Sequence, residues 1–153
     1  MDSNSEAPPA FDLSERIISL GKATGRVSFG GVAMGWRHGK RKHDWTPVGH
    51  PGRETFDFDK VGVRVRLRHW RPGDRFQPIG MMQSVKLQDL FTNGKIPGQI
   101  RRQLVVAETA GGIIFWVEGL RISEVAKVDA GTKRLLNWEW ERPKNLGLTS
   151  TGK

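Results

Sequence analysis

Between Val61 and Trp70 the chain alternates without a break. Val63, Val65, Leu67 and His69 fall on one side, and Arg64, Arg66, Arg68 and Trp70 on the other. Period two marks a β-strand with one face turned to a core. The next four residues, Arg71-Pro72-Gly73-Asp74, put Pro and Gly at the centre of a type II turn, where Pro presets φ and Gly accepts a positive one. Asp74 is expected to cap or pin that turn. A strand closed by a tight reversal needs a partner strand, so this segment predicts antiparallel pairing.

The flanking sequence extends the pattern. Ile17-Ile18-Ser19-Leu20, Val27-Ser28-Phe29 and Val32-Ala33-Met34 are short apolar stretches broken by Gly21, Gly25, Gly30, Gly31 and Gly35, which suggests strands and tight turns rather than a helix. Thr55 to Asp59 alternates, and Leu104 to Ala107, Ile113 to Glu118, Arg121 to Ser123 and Leu135 to Glu141 read as further strands, with Leu136, Trp138 and Trp140 sharing a face. Two helices interrupt them. Ser84 is placed to cap the first, which carries Leu87, Leu90 and Phe91 on one side and stops at Asn93-Gly94; the second starts near Pro97, with Ile100 and Leu104 inward and Arg101 and Arg102 outward. The fold class expected is therefore α+β: a small, mainly antiparallel, β-sandwich-like domain with a short helical hairpin. With 153 residues there is room for one such core. The expected organisation is a tail over 1–12, a strand and loop extension over 13–53 whose exposed basic loop begins at Arg37, the main domain over 54–141, and a second tail over 142–153.

The charge is the strongest hint of a partner. The chain carries a formal +9, and residues 37–75 hold eleven basic against five acidic side chains. Such an excess fits a polyanion. Arg64, Arg66 and Arg68 recur every second residue on one strand face, about 6–7 Å apart, close to the spacing of phosphates along a nucleic-acid strand. The plainer reading is the wet face of a half-covered sheet. Arg71 and Arg75 extend the charge around the turn. Lys86, Lys95, Arg101 and Arg102 on the helical hairpin either approach the same polyanion or only solvate their helices. Trp36, Trp45 and Trp70 are candidates for stacking on unpaired bases, or simply core.

Catalytic and metal chemistry find little support. There is no cysteine, and His43-Asp44 and His50 lack the fixed spacing of a metal site. No phosphate-cradling Gly loop and no Gly-x-Ser-x-Gly elbow occurs, so no metal, no cofactor and no self-contained enzyme is expected. No apolar run approaches the roughly 18 residues that cross a bilayer and no signal pattern opens the chain, so a cytoplasmic protein without a membrane span is expected.

Four ordered blocks carry a family resemblance: Arg71 to Met81, Val85 to Phe91, Lys95-Ile96-Pro97, and Ile114 to Ser123. Over about residues 64–128 the chain resembles the C-terminal domain of tRNA(Ile)-lysidine synthetase. The Ser-Gly-Gly-x-Asp-Ser signature of that family's nucleotide-binding domain is absent, so ATP belongs to the missing part. The resemblance implies a noncatalytic tRNA-binding domain that holds the acceptor-stem side of the substrate for wobble-cytidine modification. It implies tRNA as partner and leaves room for a separate lysidine-synthetase catalytic domain. The RNA-contacting residues it maps are Arg64, Arg66, Arg68, Arg71, Arg75, Lys86, Lys95, Arg101, Arg102 and Arg121. The alternative is a protein-interaction module that docks onto a catalytic subunit, with the charge incidental.

Overall fold

The computed structural model describes residues 12–47, 49–120 and 123–143. Two four-stranded antiparallel sheets face each other. The first has the order β1-β5-β8-β9, built from Glu15–Ser19, Arg64–His69, Val105–Thr109 and Ile114–Val117. The second has the order β2-β3-β10-β4, from Thr24–Phe29, Val32–Lys40, Arg134–Glu141 and Arg53–Asp57. A two-stranded ribbon, β6 (Arg75–Phe76) with β7 (Val85–Lys86), and the helices α1 (Phe58–Val61), α2 (Leu87–Asn93) and α3 (Gly98–Arg101) complete the domain. The α+β sandwich expected from the sequence is the architecture observed.

Alternation explains the main core. Val65 and Leu67 of β5, Val105 and Ala107 of β8, and Leu136 and Trp138 of β10 meet between the sheets with Met34 and Phe56. Opposite Ala107–Glu108 the register shifts by one residue, and β9 delivers both Phe115 and Trp116 into this core. Trp36 is packed against its rim, with its ring over Gly25 where a Cβ would stand 2.0 Å from the nearest ring atom. Only glycine fits beneath it.

The segment 13–53 is not an appendage. β1 pairs with β5 while β2 and β3 join β10, and Ile18, Leu20, Val27, Val32 and Met34 are buried in the shared core. The basic segment expected as loop from Arg37 remains strand as far as Lys40, because β10 pairs with it residue for residue. Thr55–Asp59 stays extended only to Asp57, whose carboxylate accepts from the Asp59 and Lys60 amides at 2.9 and 3.2 Å and starts α1.

A second apolar cluster positions the site. The other face of the first sheet offers Trp70, Val106, Ile114 and Val117, and onto it pack Phe76, Leu87, Phe91 and Leu104. Full burial of Leu87 and Phe91 is worth about 1.5–3 kcal/mol each. The helical hairpin thus covers half of the strand face that alternation alone marks as wet. Ser84 does not cap α2: the chain runs on as β7, and the N-cap position falls to Lys86. Ile100 is exposed, since α3 is a single turn and only Leu104 beyond it reaches the cluster.

Candidate nucleic-acid interface

The three strand arginines do not form a free ladder. Arg64 is exposed. Arg66 is half-buried, with Nη1 3.5 Å from Glu108 and Nε 3.7 Å from Glu15. Arg68 is buried, its side chain 7% exposed, and it is fully engaged: Nη1 and Nη2 donate to the two Asp74 oxygens at 2.9 and 3.0 Å, Nε to Glu108 at 2.8 Å, and Nη1 also to the His69 carbonyl at 2.9 Å. Burial alone would lower the Arg68 pKa, but the hydrogen bonds and charges of Asp74 and Glu108 outweigh it and raise it. Arg68 is therefore corrected from surface cation to internal strut. The physical reason is the hairpin layer, which desolvates that end of the strand and makes a paired charge obligatory.

The strut fixes the turn. Asp74 accepts from the Arg71 amide at 2.8 Å, its own amide bonds the Arg71 carbonyl at 3.0 Å, and Gly73 sits at φ +94° as the type II turn requires. The Arg71 guanidinium pairs with Glu15 on β1. That hydrogen bond, with the nearby charges of Arg71, Arg66 and Arg68, holds the Glu15 carboxyl below its ordinary range. A depressed carboxyl pKa contributes stability above the unfolded value, lost as pH falls through the folded one. Glu15→Gln is thus expected to lower the urea midpoint at pH 7, with the difference from the parent shrinking as pH falls below the ordinary carboxylate range.

What the strut carries outward is a pair of like charges. Arg75 and Lys86 stand directly opposite each other on the β6–β7 ribbon, and both are exposed. Arg75 is held by Ser84, donating from Nε to the hydroxyl at 3.0 Å and from Nη2 to the carbonyl at 2.9 Å. Sequence reasoning missed this use of Ser84, whose only visible signal was its position before a helix. Among the described residues no carboxylate pairs with Arg64, Arg75, Lys86 or Lys95. Lys95 is also the one non-glycine described residue with positive φ, +57°, closing α2 where glycine is the usual choice.

The remaining candidates divide. Arg101 knits the hairpin, with Nε donating to the Ile96 carbonyl at 2.8 Å and its guanidinium 5.8 Å from the Phe91 ring centre. Arg102 is half-buried beside a hollow of about 480 Å³ shared with His69 and Arg142. Arg121 lies outside the described residues. Trp70 is buried edge-to-face on Phe91, which removes it as a stacking platform. Arg142, assigned to a tail by sequence, donates to both Glu118 oxygens at 2.7 and 2.9 Å.

Comparison with known proteins decides the family. The model of one family, the TilS substrate C-terminal domain, matches residues 63–140, just over half of the chain. The chain belongs to the TilS substrate C-terminal domain family. A tRNA(Ile)-lysidine synthase of Clostridium acetobutylicum is 40% identical over 94 residues, covering 61% of this chain and 20% of the relative. That of Clostridium tetani is 42% identical over 93 residues, with the same two coverages. The chain thus spans about a fifth of the length of these curated relatives. The crystal structure of a TilS C-terminal domain superposes with a TM-score of 0.68 at 23% identity, over 86% of this chain and all of the other. An N-terminal fragment of the phenylalanyl-tRNA synthetase β-subunit from Pyrococcus horikoshii reaches 0.50 at 17% identity, over 60% of this chain and 28% of the other. Both show likeness of fold. The first covers more of this chain than the 63–140 match does, so the likeness of fold reaches beyond those residues. No helix among the described residues is long and apolar enough to cross a membrane.

Proposed function

We propose that this TilS C-terminal domain is a noncatalytic tRNA-holding module that meets helical RNA on the acceptor-stem side through phosphate contacts. The observation that carries the reading is the exposed Arg75–Lys86 pair, mounted on a ribbon anchored by the Arg68 strut. Like charges placed directly across a ribbon cost stability, so folding alone gives no reason for them. Lys95 in the left-handed region adds a second cost, of about 1–2 kcal/mol. Phosphate oxygens between these groups would offset both.

The geometry suits a duplex better than a base. Helical RNA presents phosphates and 2′-hydroxyls while its major groove is too narrow to read, so a rigid cationic surface is sufficient. Arg75, already oriented by Ser84, presents a planar fork to a phosphate; Lys86, Lys95 and Arg64 add point charge and a further fork. Within the parent family the ligation chemistry sits in another domain, and this chain serves substrate selection.

Titration of the full chain with tRNA between 50 and 200 mM salt tests the proposal. Affinity is expected to fall log-linearly, with a slope magnitude of at least about 3–4, the share of the four phosphate contacts on this surface. ATP is expected to have no influence. Salt-independent affinity, or no binding at 50 mM, overturns the reading.

A further inference from the structure

The basic run after Trp36 lies outside the residues of the family match and takes no part in the β6–β7 surface. β3 carries it outward to Lys40, which stands directly across from Arg134 at the start of β10. This is a second cross-strand pair of like charges, and again a cost to the fold. Arg134 is held in place: its guanidinium lies 4.7 Å from the Phe58 ring centre and its Nη2 3.2 Å from His38 Nδ1. That nitrogen accepts, because His38 Nε2 is 2.6 Å from the Leu20 carbonyl, which can only take a hydrogen. Arg41 Nη1 donates to the carbonyls of Asp129 and Thr132 at 2.8 and 3.3 Å, which orients the guanidinium without neutralising it. The Asp129 carboxylate is occupied elsewhere, 2.7 Å from Lys60.

Lys40, Lys42 and Lys133 are exposed, and among the described residues none of them meets a carboxylate. A hollow of about 780 Å³ opens here, lined by Lys40, Arg41, His43, Lys133 and Arg134 among others, and by no acidic side chain. Trp45 lies beneath the Arg41 guanidinium at 5.4 Å.

We infer that this end of the second sheet is a second RNA-backbone site, which takes phosphates from a segment of tRNA other than the one met by β6–β7. The inference rests on the reading above that the partner is tRNA. Two fixed guanidiniums among solvent-exposed ammonium groups are a phosphate-binding set. An anionic bilayer fits less well, since Trp45 is the one large apolar side chain between Arg37 and Pro47 and a surface-bound segment needs an apolar face. The β6–β7 ribbon joins the layer outside the first sheet through Phe76, whereas Lys40 and Arg134 belong to the second sheet. Sheet spacing of about 10 Å and a helical layer of similar depth keep them roughly 20 Å apart, so a folded RNA meets them with different parts.

The chain has no cysteine, so Lys42→Cys and Lys86→Cys each give a unique attachment point for an iron chelate that cleaves nearby RNA. On one tRNA the two positions are expected to cut separate sets of nucleotides. Lys40→Ala/Lys42→Ala/Lys133→Ala is expected to reduce the salt slope by about 2–3 while cuts from position 86, introduced into the same background, persist. Cleavage from position 42 no stronger than from Ala110→Cys, on the exposed β8–β9 turn, overturns the inference. So does silence on tRNA combined with co-sedimentation on phosphatidylglycerol vesicles. Cuts from position 42 without cuts from position 86 support the second site and overturn the β6–β7 surface instead.

Discussion

Arg68→Ala is expected to lower the thermal midpoint by roughly 10 °C, which follows from about 3–5 kcal/mol for breaking a buried ion pair and about 2–4 °C per kcal/mol for a chain of this size. The loss has a definite source. Asp74 and Glu108 are nearly buried, with side chains 13% and 9% exposed, and each would be left there without its principal hydrogen-bonding and charge partner. Asp74 also pins the Arg71-Pro72-Gly73 turn, so the change loosens the base of the β6–β7 ribbon. Arg68→Lys should recover only part of the loss, because one ammonium group cannot present the fork that meets two Asp74 oxygens and Glu108 together. Arg64→Ala, at an exposed position, should stay within about 0.5 kcal/mol of the parent. Differential scanning calorimetry checks all three. An Arg68→Ala chain that melts like the parent but binds RNA poorly would return Arg68 to the surface role that alternation first suggested.

That contrast shows where the sequence was legible. Strict alternation from Val63 to Trp70 identified the strand and its two faces, because a period of two has no competing explanation over eight residues. Pro72-Gly73 identified the turn for an equally local reason. Neither could reveal what covers the second face. Trp70 is buried by Leu87, Phe91 and Leu104, contributed by a segment up to thirty-four residues downstream, and the counter-charge Glu108 arrives forty residues after Arg68. Such partners become visible only once β5 is paired with β8. Ser84 failed for the opposite reason: its local signal, a hydroxyl before an amphipathic stretch, was genuine but overridden when β7 paired with β6 and moved the helix start to Leu87. Family likeness identified the right stretch of chain and carried the list of cations. The structure then separated those that hold the fold, Arg66, Arg68, Arg71 and Arg101, from those left facing solvent.

The solvent-facing set leads to the other large effect. Arg75→Ala/Lys86→Ala/Lys95→Ala is expected to weaken duplex RNA binding by at least about 100-fold at 100 mM salt, since charge-assisted contacts contribute about 1.5–3 kcal/mol each before competition from water and ions. The salt slope should fall by about 2–3, and by the same amount for duplexes of unrelated sequence, because phosphate contacts carry no base information. Fluorescence anisotropy over a salt series measures both. Stability should change far less, because the relief of like charge is set against the loss of the two Arg75–Ser84 hydrogen bonds. Removing the Arg75–Lys86 opposition relieves a cross-strand repulsion of a few tenths of a kcal/mol, and Lys95→Gly in place of alanine would relieve the left-handed backbone as well. A variant that melts higher than the parent while losing RNA would mean that these side chains are held at a cost to the fold. A variant that loses stability and keeps its RNA affinity would place the contact surface elsewhere on the domain.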